Sequence, residues 1–191
     1  MLIHWVWFST RPGLNDRQKK VLLDCFADPE DVYNADEAVL ASVEDLTEDA
    51  ICALADKDLS DAQKILTQCV DQQIQICTYR DTNYPSRLRH IDDPPMVLYC
   101  KGILPDLDSV PVIGAVGTRN ASAYGMNVAQ RMGYQIGKCG GIVVSGMAYG
   151  IDGMAMSGAL TAGKPVVGVL GCGADVIYPA SNRWLYADTE K

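Results

Sequence analysis

The stretch "GAVGTRNASAYG" (114–125) sets three glycines, a threonine and an arginine directly behind the apolar run "VPVI". A glycine turn between a strand and a helix lets the main chain approach a ligand closely, and the N–H groups of the helix start favour an anion. The chemistry is phosphate recognition, and it comes in two forms. A dinucleotide cradle needs G-x-G-x-x-G and an acid about 20 residues further on for the ribose hydroxyls. Neither is present: Gly114 and Gly117 are spaced GxxG, and no Asp or Glu lies between Asp108 and Asp152. The same stretch does hold Arg119, Arg131 and Lys138. Gly117, Thr118 and Arg119 therefore suit a phosphate other than that of a nicotinamide cofactor. The competing reading is that the glycines only permit a tight turn.

Two more glycine turns follow strand-like runs. In "SGMAYGID", Ser145 and Gly146 stand at a strand end and Asp152 near a helix start. Asp152 is expected to be structural, as a helix cap or an acceptor for loop N–H groups. Ser145 lacks the G-x-S-x-G elbow, and both histidines, His4 and His90, lie outside this half, so acyl-transfer chemistry is excluded. Tyr149 has two open readings, stacking on a base or packing. In the third turn Gly171 and Gly173 permit close approach, and Asn182 and Arg183 are polar groups able to reach the same edge. Lys164 precedes a strand and belongs at its opposite end. The seven cysteines are scattered and never form CxxC, which reads as reduced thiols. No catalytic residue, cofactor or metal is expected.

The elements that must position these turns divide the chain. Fifteen of the seventeen glycines lie at or beyond Gly114, so the architecture changes. Upstream, "DRQKKVLLDCF", "ADEAVLASV", "EDAICALAD" and "DAQKILTQCVDQQ" space apolar residues three and four apart, predicting a bundle of short helices. "IQICTY" and "MVLYC" read as strands around the turn-rich "RDTNYPSRLRHIDDPP", a bridge into the second domain. From 110 onward strand, glycine turn and helix repeat. "VPVIGAV" leads into a helix over 122 to 139, with Val128, Ala129, Met132 and Ile136 on one face; "GIVVS" leads into "IDGMAMSGALTA", and "PVVGVL" into "GCGADVIYP". The expected fold class is α/β, a Rossmann-like parallel sheet preceded by a small helical domain. The expected domains are a helical 1–73 and a Rossmann-like 74–191. The pattern stops in mid-sheet at "RWLYADTEK", so further strands are expected beyond residue 191.

Charge divides the chain in the same place. The net −8 argues against a polyanion partner, but residues 1–109 hold ten Lys/Arg and twenty Asp/Glu, whereas 110–191 hold six and four. From Asp24 to Asp61 thirteen acids face the single Lys57, a solvated helical face or a docking surface for a basic partner. No apolar run approaches a membrane span and the N-terminus has no basic leader, so a cytoplasmic protein without a membrane partner is expected.

"GTRNASAYG", "VVSGMAYGIDGMAMSGALTAGKPVVGVLGCGADVIYPASNRWLY" and "DTNYPSRLRHIDDPPMVLYCKG", in this arrangement, resemble the DNA-processing protein A family, also called DprA or Smf. The likeness extends over nearly the whole chain, and "RPGL" looks like the opening of a degenerate helix-hairpin-helix, a SAM-like helical domain. The resemblance implies binding of incoming single-stranded DNA in natural transformation, loading of the RecA recombinase, a homodimer formed through the Rossmann-like domain, and no enzymatic activity. It makes Arg119 the arginine of a G-[ST]-R motif, a principal DNA contact. The sequence departs from the family at Tyr149 and Ala180, where basic residues are common, and at Met156, where histidine is common. Two other function classes compete. A nucleotide-processing phosphoribohydrolase shares such a fold but needs a pocket acid, for which only Asp152 and Asp175 are on offer. A protein-interaction module explains the acidic run and leaves the basic glycine edge without a role.

Overall fold

The apolar opening winds into helix α1 (Leu2–Thr10), although Ile3, Trp5, Val6, Trp7, Phe8 and Thr10 are aromatic or β-branched. Burial overrides propensity: His4 to Phe8 are all buried, and a helix apolar on every side belongs inside a core. Residues 1–190 are described by the computed structural model. Around α1 stand α2 (Asp16–Cys25), α3 (Pro29–Asn34), α4 (Glu37–Ala41), α5 (Glu48–Ala55) and α6 (Ser60–Asp71). Local chemistry starts several of them. Asn15 and Gln18 form a reciprocal capping box on α2, Asp28 and Asp31 form another on α3, and Thr47 Oγ1 accepts from Ala50 N–H on α5. Trp5, Val6, Trp7, Phe8, Leu22, Val32, Leu40 and Leu54 make the shared core.

Strands β1 (Ile74–Thr78) and β2 (Val97–Lys101) pair with each other in a two-stranded sheet of their own, flanking the short helix α7 (Ser86–Arg89). The boundary expected at 73/74 accordingly differs from the packing. The compact units are Met1–Tyr99 and a second beginning at Cys100. The reason is burial: Met96 and Val97 belong to the helical core, with Ile76 and Tyr79 packed against it. The turn-rich segment is tied down by main-chain carbonyls. Arg89 donates to Tyr79 O (3.0 Å) and Asp81 O (2.6 Å), and Tyr84 donates its hydroxyl to Pro95 O (2.8 Å).

The second unit is a Rossmann-type layer. Strands β3 (Val112–Gly114), β4 (Ile142–Ser145) and β5 (Val166–Gly168) are parallel in the order β3-β4-β5. Their register aligns Ile113 with Val143 and Val143 with Val166. Helix α8 (Ala123–Lys138) joins β3 to β4, and α9 (Ile151–Thr161) joins β4 to β5. The two crossover helices pack against each other, as two successive connections of the usual right-handed sense between neighbouring parallel strands require. The buried stripe of α8 is Ala129, Gly133 and Gly137, whereas Met132, expected on one face with Ala129, is 60% exposed. Glycine explains the exchange. A Cβ at Gly133 would run into the Ala155 carbonyl and one at Gly158 into the Gln130 carbonyl, so the two backbones meet where larger side chains would hold them apart. A 3-10 turn (Ala180–Asn182) and α10 (Arg183–Thr189) follow, with Leu185 and Tyr186 in the core beside Met156.

Candidate nucleic-acid interface

All three glycine turns leave the carboxyl ends of parallel neighbouring strands, so they share one edge of the sheet, the edge where open α/β sheets bind ligands. They are also bonded to one another. The buried Ser145 hydroxyl donates to Ala115 O (2.7 Å), fixing the end of β4 to the first turn. Ile151 N–H donates to Thr118 O (3.3 Å), so the start of α9 rests on the first turn as well. Gly150, at φ +76°, lies against the Thr118 and Arg119 carbonyls, where any side chain would collide with main chain. A Cβ at Gly117 would lie 2.6 Å from Ile151. Glycine at 117 and 150 is thus required by the contact between the turns, beyond the turns themselves.

The second turn is held from both sides. Asp152 is buried, and its Oδ2 accepts from Gly146 N–H (3.2 Å), the loop-holding role among the two expected for it. Asn182 donates its amide to Met147 O (2.9 Å) and Ala148 O (3.1 Å). Met147 keeps a positive φ of 57° with its side chain over Gly168. The third turn is braced by Tyr186, whose hydroxyl donates to Tyr178 O (2.9 Å) and accepts from Tyr178 N–H (3.4 Å); burial pushes that phenol's pKa up.

Upon this frame the surface is open. Gly117, Thr118, Arg119, Gly146, Gly171, Gly173 and Arg183 are exposed, and Tyr149 is 45% exposed. Thr118 Oγ1 accepts from Asn120 N–H (3.2 Å), which braces the turn that carries Arg119. The Arg119 guanidinium has no partner among the described residues. Ser122 caps α8 by accepting from Gly125 N–H (3.2 Å), and the first turn of that helix holds no acid. Two expected contact residues stand differently. Ser145 is only 4% exposed with its hydroxyl donating to Ala115, and the Asn182 amide nitrogen donates to two carbonyls, so both side chains hold loops in place. Arg183 is the first residue of α10 and no longer part of a loop. Sequence reasoning missed the role of Gly150, whose signal was a glycine just ahead of a helix start. It also missed Tyr186, which nothing in the local pattern marks. Among the described residues, no group of His, Cys, Asp and Glu is placed to hold a metal ion.

The fold and edge define a Rossmann-type α/β unit with an anion-suited rim of glycine turns. A profile of the DNA recombination-mediator protein A family matches residues 75–191, more than half of the chain. The chain belongs to that family. The DNA processing protein DprA of Bacillus subtilis is 38% identical over 122 residues, covering 64% of this chain and 41% of that protein. Protein Smf of Synechocystis is 31% identical over 96% of this chain and 47% of its own length. The chain therefore spans under half the length of these relatives. The X-ray structure of DNA processing protein A from Streptococcus pneumoniae superposes with a TM-score of 0.77 at 26% identity, over 98% of this chain and 64% of that one. DNA processing protein A from Helicobacter pylori, solved to describe its single-stranded DNA binding mode, gives 0.53 at 28% identity over 62% of this chain and 54% of that one. No helix among the described residues is long and apolar enough to cross a membrane.

Proposed function

We propose that the glycine edge of the second unit binds single-stranded DNA, with Arg119 on a phosphate, and that the protein acts as a recombination mediator that passes the strand to the RecA recombinase during natural transformation. The observation that carries this reading is the exposed, unpartnered Arg119 guanidinium on a turn welded to its neighbours, in a stretch without a competing acid. Gly117, Thr118, Gly146, Gly171 and Gly173 let a backbone lie close, Arg183 adds a second cation, and the half-exposed Tyr149 offers a ring to a base. The Helicobacter neighbour, which binds single-stranded DNA, shares the fold and supports the choice of ligand. The enzyme alternative loses one of its two candidate acids, because the Asp152 carboxylate is buried on Gly146 N–H. Pairing of two copies through the Rossmann-type unit and a cytoplasmic location complete the proposal.

The test is binding of labelled oligo-dT and of a blunt duplex of equal length, for the wild type and for Arg119→Ala, across several salt concentrations. Tighter binding of the single strand is expected, with the salt slope reduced by about 0.7 in the variant, as one lost phosphate contact requires. Equal affinity for the two nucleic acids, or an unchanged slope in a folded Arg119→Ala protein, overturns the reading. Transfer to RecA is checked by strand exchange on DNA coated with single-strand-binding protein, which the wild type should relieve and Arg119→Ala should not.

A further inference from the structure

Helix α8 begins at the glycine edge and runs away from it, and its outer surface has a composition that the turns do not explain. Tyr124, Arg131 and Lys138 are spaced by seven residues, two helical turns, which returns each side chain to within about 20° of the last. All three are exposed, Tyr124 at 79%. Asn127 and Gln135 lie between them on the same exposed side. From Asp108 to Asp175 the one acid is Asp152, and it is buried and bonded to Gly146 N–H. The whole α8–α9 layer therefore shows cations to solvent and no carboxylate. The Lys138 ammonium stands 5.3 Å from the Tyr134 ring, which leaves its charge unneutralised.

The relief of the surface follows the same line. Two shallow grooves lie on either side of the ridge made by Arg131 and Gln135, one of about 260 Å³ reaching Tyr134, Gly158 and Thr161, the other of about 400 Å³ lined by Val128, Met132 and Ile136. Cations on a ridge with apolar and aromatic walls beside them are what a single strand requires: charge for the phosphates and flat or apolar surface for unpaired bases. A folded acidic protein would match the charge, but the row begins in the first turn of α8, five residues after Arg119 in the chain, where the proposed edge holds a strand. The geometry points to a second track for single-stranded nucleic acid along α8, continuous with the glycine edge, on which Tyr124 stacks a base and Arg131 and Lys138 take phosphates. This rests on the proposed function of the edge and extends it by the length of the helix, about 24 Å for 16 residues.

Oligonucleotide length separates the two sites. A strand of about 5 nucleotides covers the edge alone, and one of about 20 also covers the helix. For Arg131→Gln/Lys138→Gln, a pair of exposed changes that leaves the packed face of α8 intact, the long oligo-dT should lose about 1.4 from its salt slope while the short one binds as in the wild type. Tyr124→Ala should weaken the long oligonucleotide by tenfold or more and leave its salt slope in place. Arg119→Ala should weaken both lengths. If Arg119→Ala behaves so but the double variant binds the long strand like the wild type, the track is overturned and the edge reading stands. If the wild type binds neither length, both fall. A double variant that binds DNA normally but shifts its sedimentation from dimer to monomer assigns the face to a second copy and likewise overturns the track.

Discussion

The two units solve cohesion in opposite ways. The first fills its interior with large side chains: Trp7, Phe8, Tyr84, Leu22, Leu40 and Leu54 are all under 2% exposed. Polar bonds tie those rings to the chain, as where Trp7 Nε1 donates to Asp56 O (3.1 Å) and Tyr33 donates to Lys57 O (2.8 Å). Lys57 itself stands 5.5 Å from the Trp7 ring and 5.2 Å from that of Tyr33, and burial lowers the pKa of its amine. The second unit is built from Ala129, Gly133, Ala155, Gly158 and Ala159, small residues that bring main chain against main chain. Cohesion by volume leaves the surface free to carry any charge, and the first unit is acidic. Backbone contact instead transmits position, and the second unit uses it to hold three turns in one arrangement. Opposite kinds of substitution should therefore damage them.

The largest effect is expected where volume is removed from the first unit. Trp7→Ala should cost about 3–5 kcal/mol and speed hydrogen exchange throughout α1, α3 and α6, with the glycine edge unaffected. Loss of protection in both units alike would break the comparison. Adding volume to the second unit comes next. Gly133→Val should cost about 1–3 kcal/mol through overpacking against the Ala155 carbonyl, whereas the same change at the open Gly171 should leave stability within about 0.5 kcal/mol. Thermal unfolding of the two variants measures the difference, and equal melting temperatures would refute the backbone-contact account.

Smaller still is the loosening of one turn. Asn182→Ala takes the side-chain donor from the Met147 carbonyl and leaves the Ala148 carbonyl with Gly153 N–H alone, and should cost about 1–2 kcal/mol. It should also weaken oligo-dT binding while keeping the salt slope, since no phosphate contact is lost; a reduced slope would return Asn182 to the ligand contacts. The smallest effect belongs to Tyr84→Phe, which removes the bond to Pro95 O and should cost about 1 kcal/mol at neutral pH. Burial pushes the Tyr84 phenol up to about 12. A raised phenol pKa stabilises the fold fully below the ordinary value near 10 and ceases to do so as pH climbs toward 12. The gap between wild type and Tyr84→Phe should therefore narrow across that window in urea titrations, and a constant gap would show that Tyr84 does not titrate with the fold.

The primary sequence determined by itself whatever depends on local pattern. Strand-turn-helix repetition yielded β4, α8 and α9 to within a residue at each end and placed β3 and β5 inside longer runs, because glycine, β-branched runs and caps act within a few positions of each other. The candidate edge was legible for the same reason: Gly117, Thr118 and Arg119 stand on one turn, and the missing acids can be read off the chain. Only tertiary structure decided the rest. Helix α1 has no amphipathic period to read, since burial on all sides removes the need for a polar face. The boundary fell at 99/100 because Met96 and Val97 found their core among helices far upstream. Met132 faces outward because Gly133 and Gly158 let two backbones meet, and Ser145 and Asn182 became braces because Ala115, Met147 and Ala148 offered carbonyls that only folding brings near. Which polar group is spent inside the protein and which, like Arg119, stays exposed with no partner among the described residues depends on neighbours distant in sequence, and those are chosen by packing.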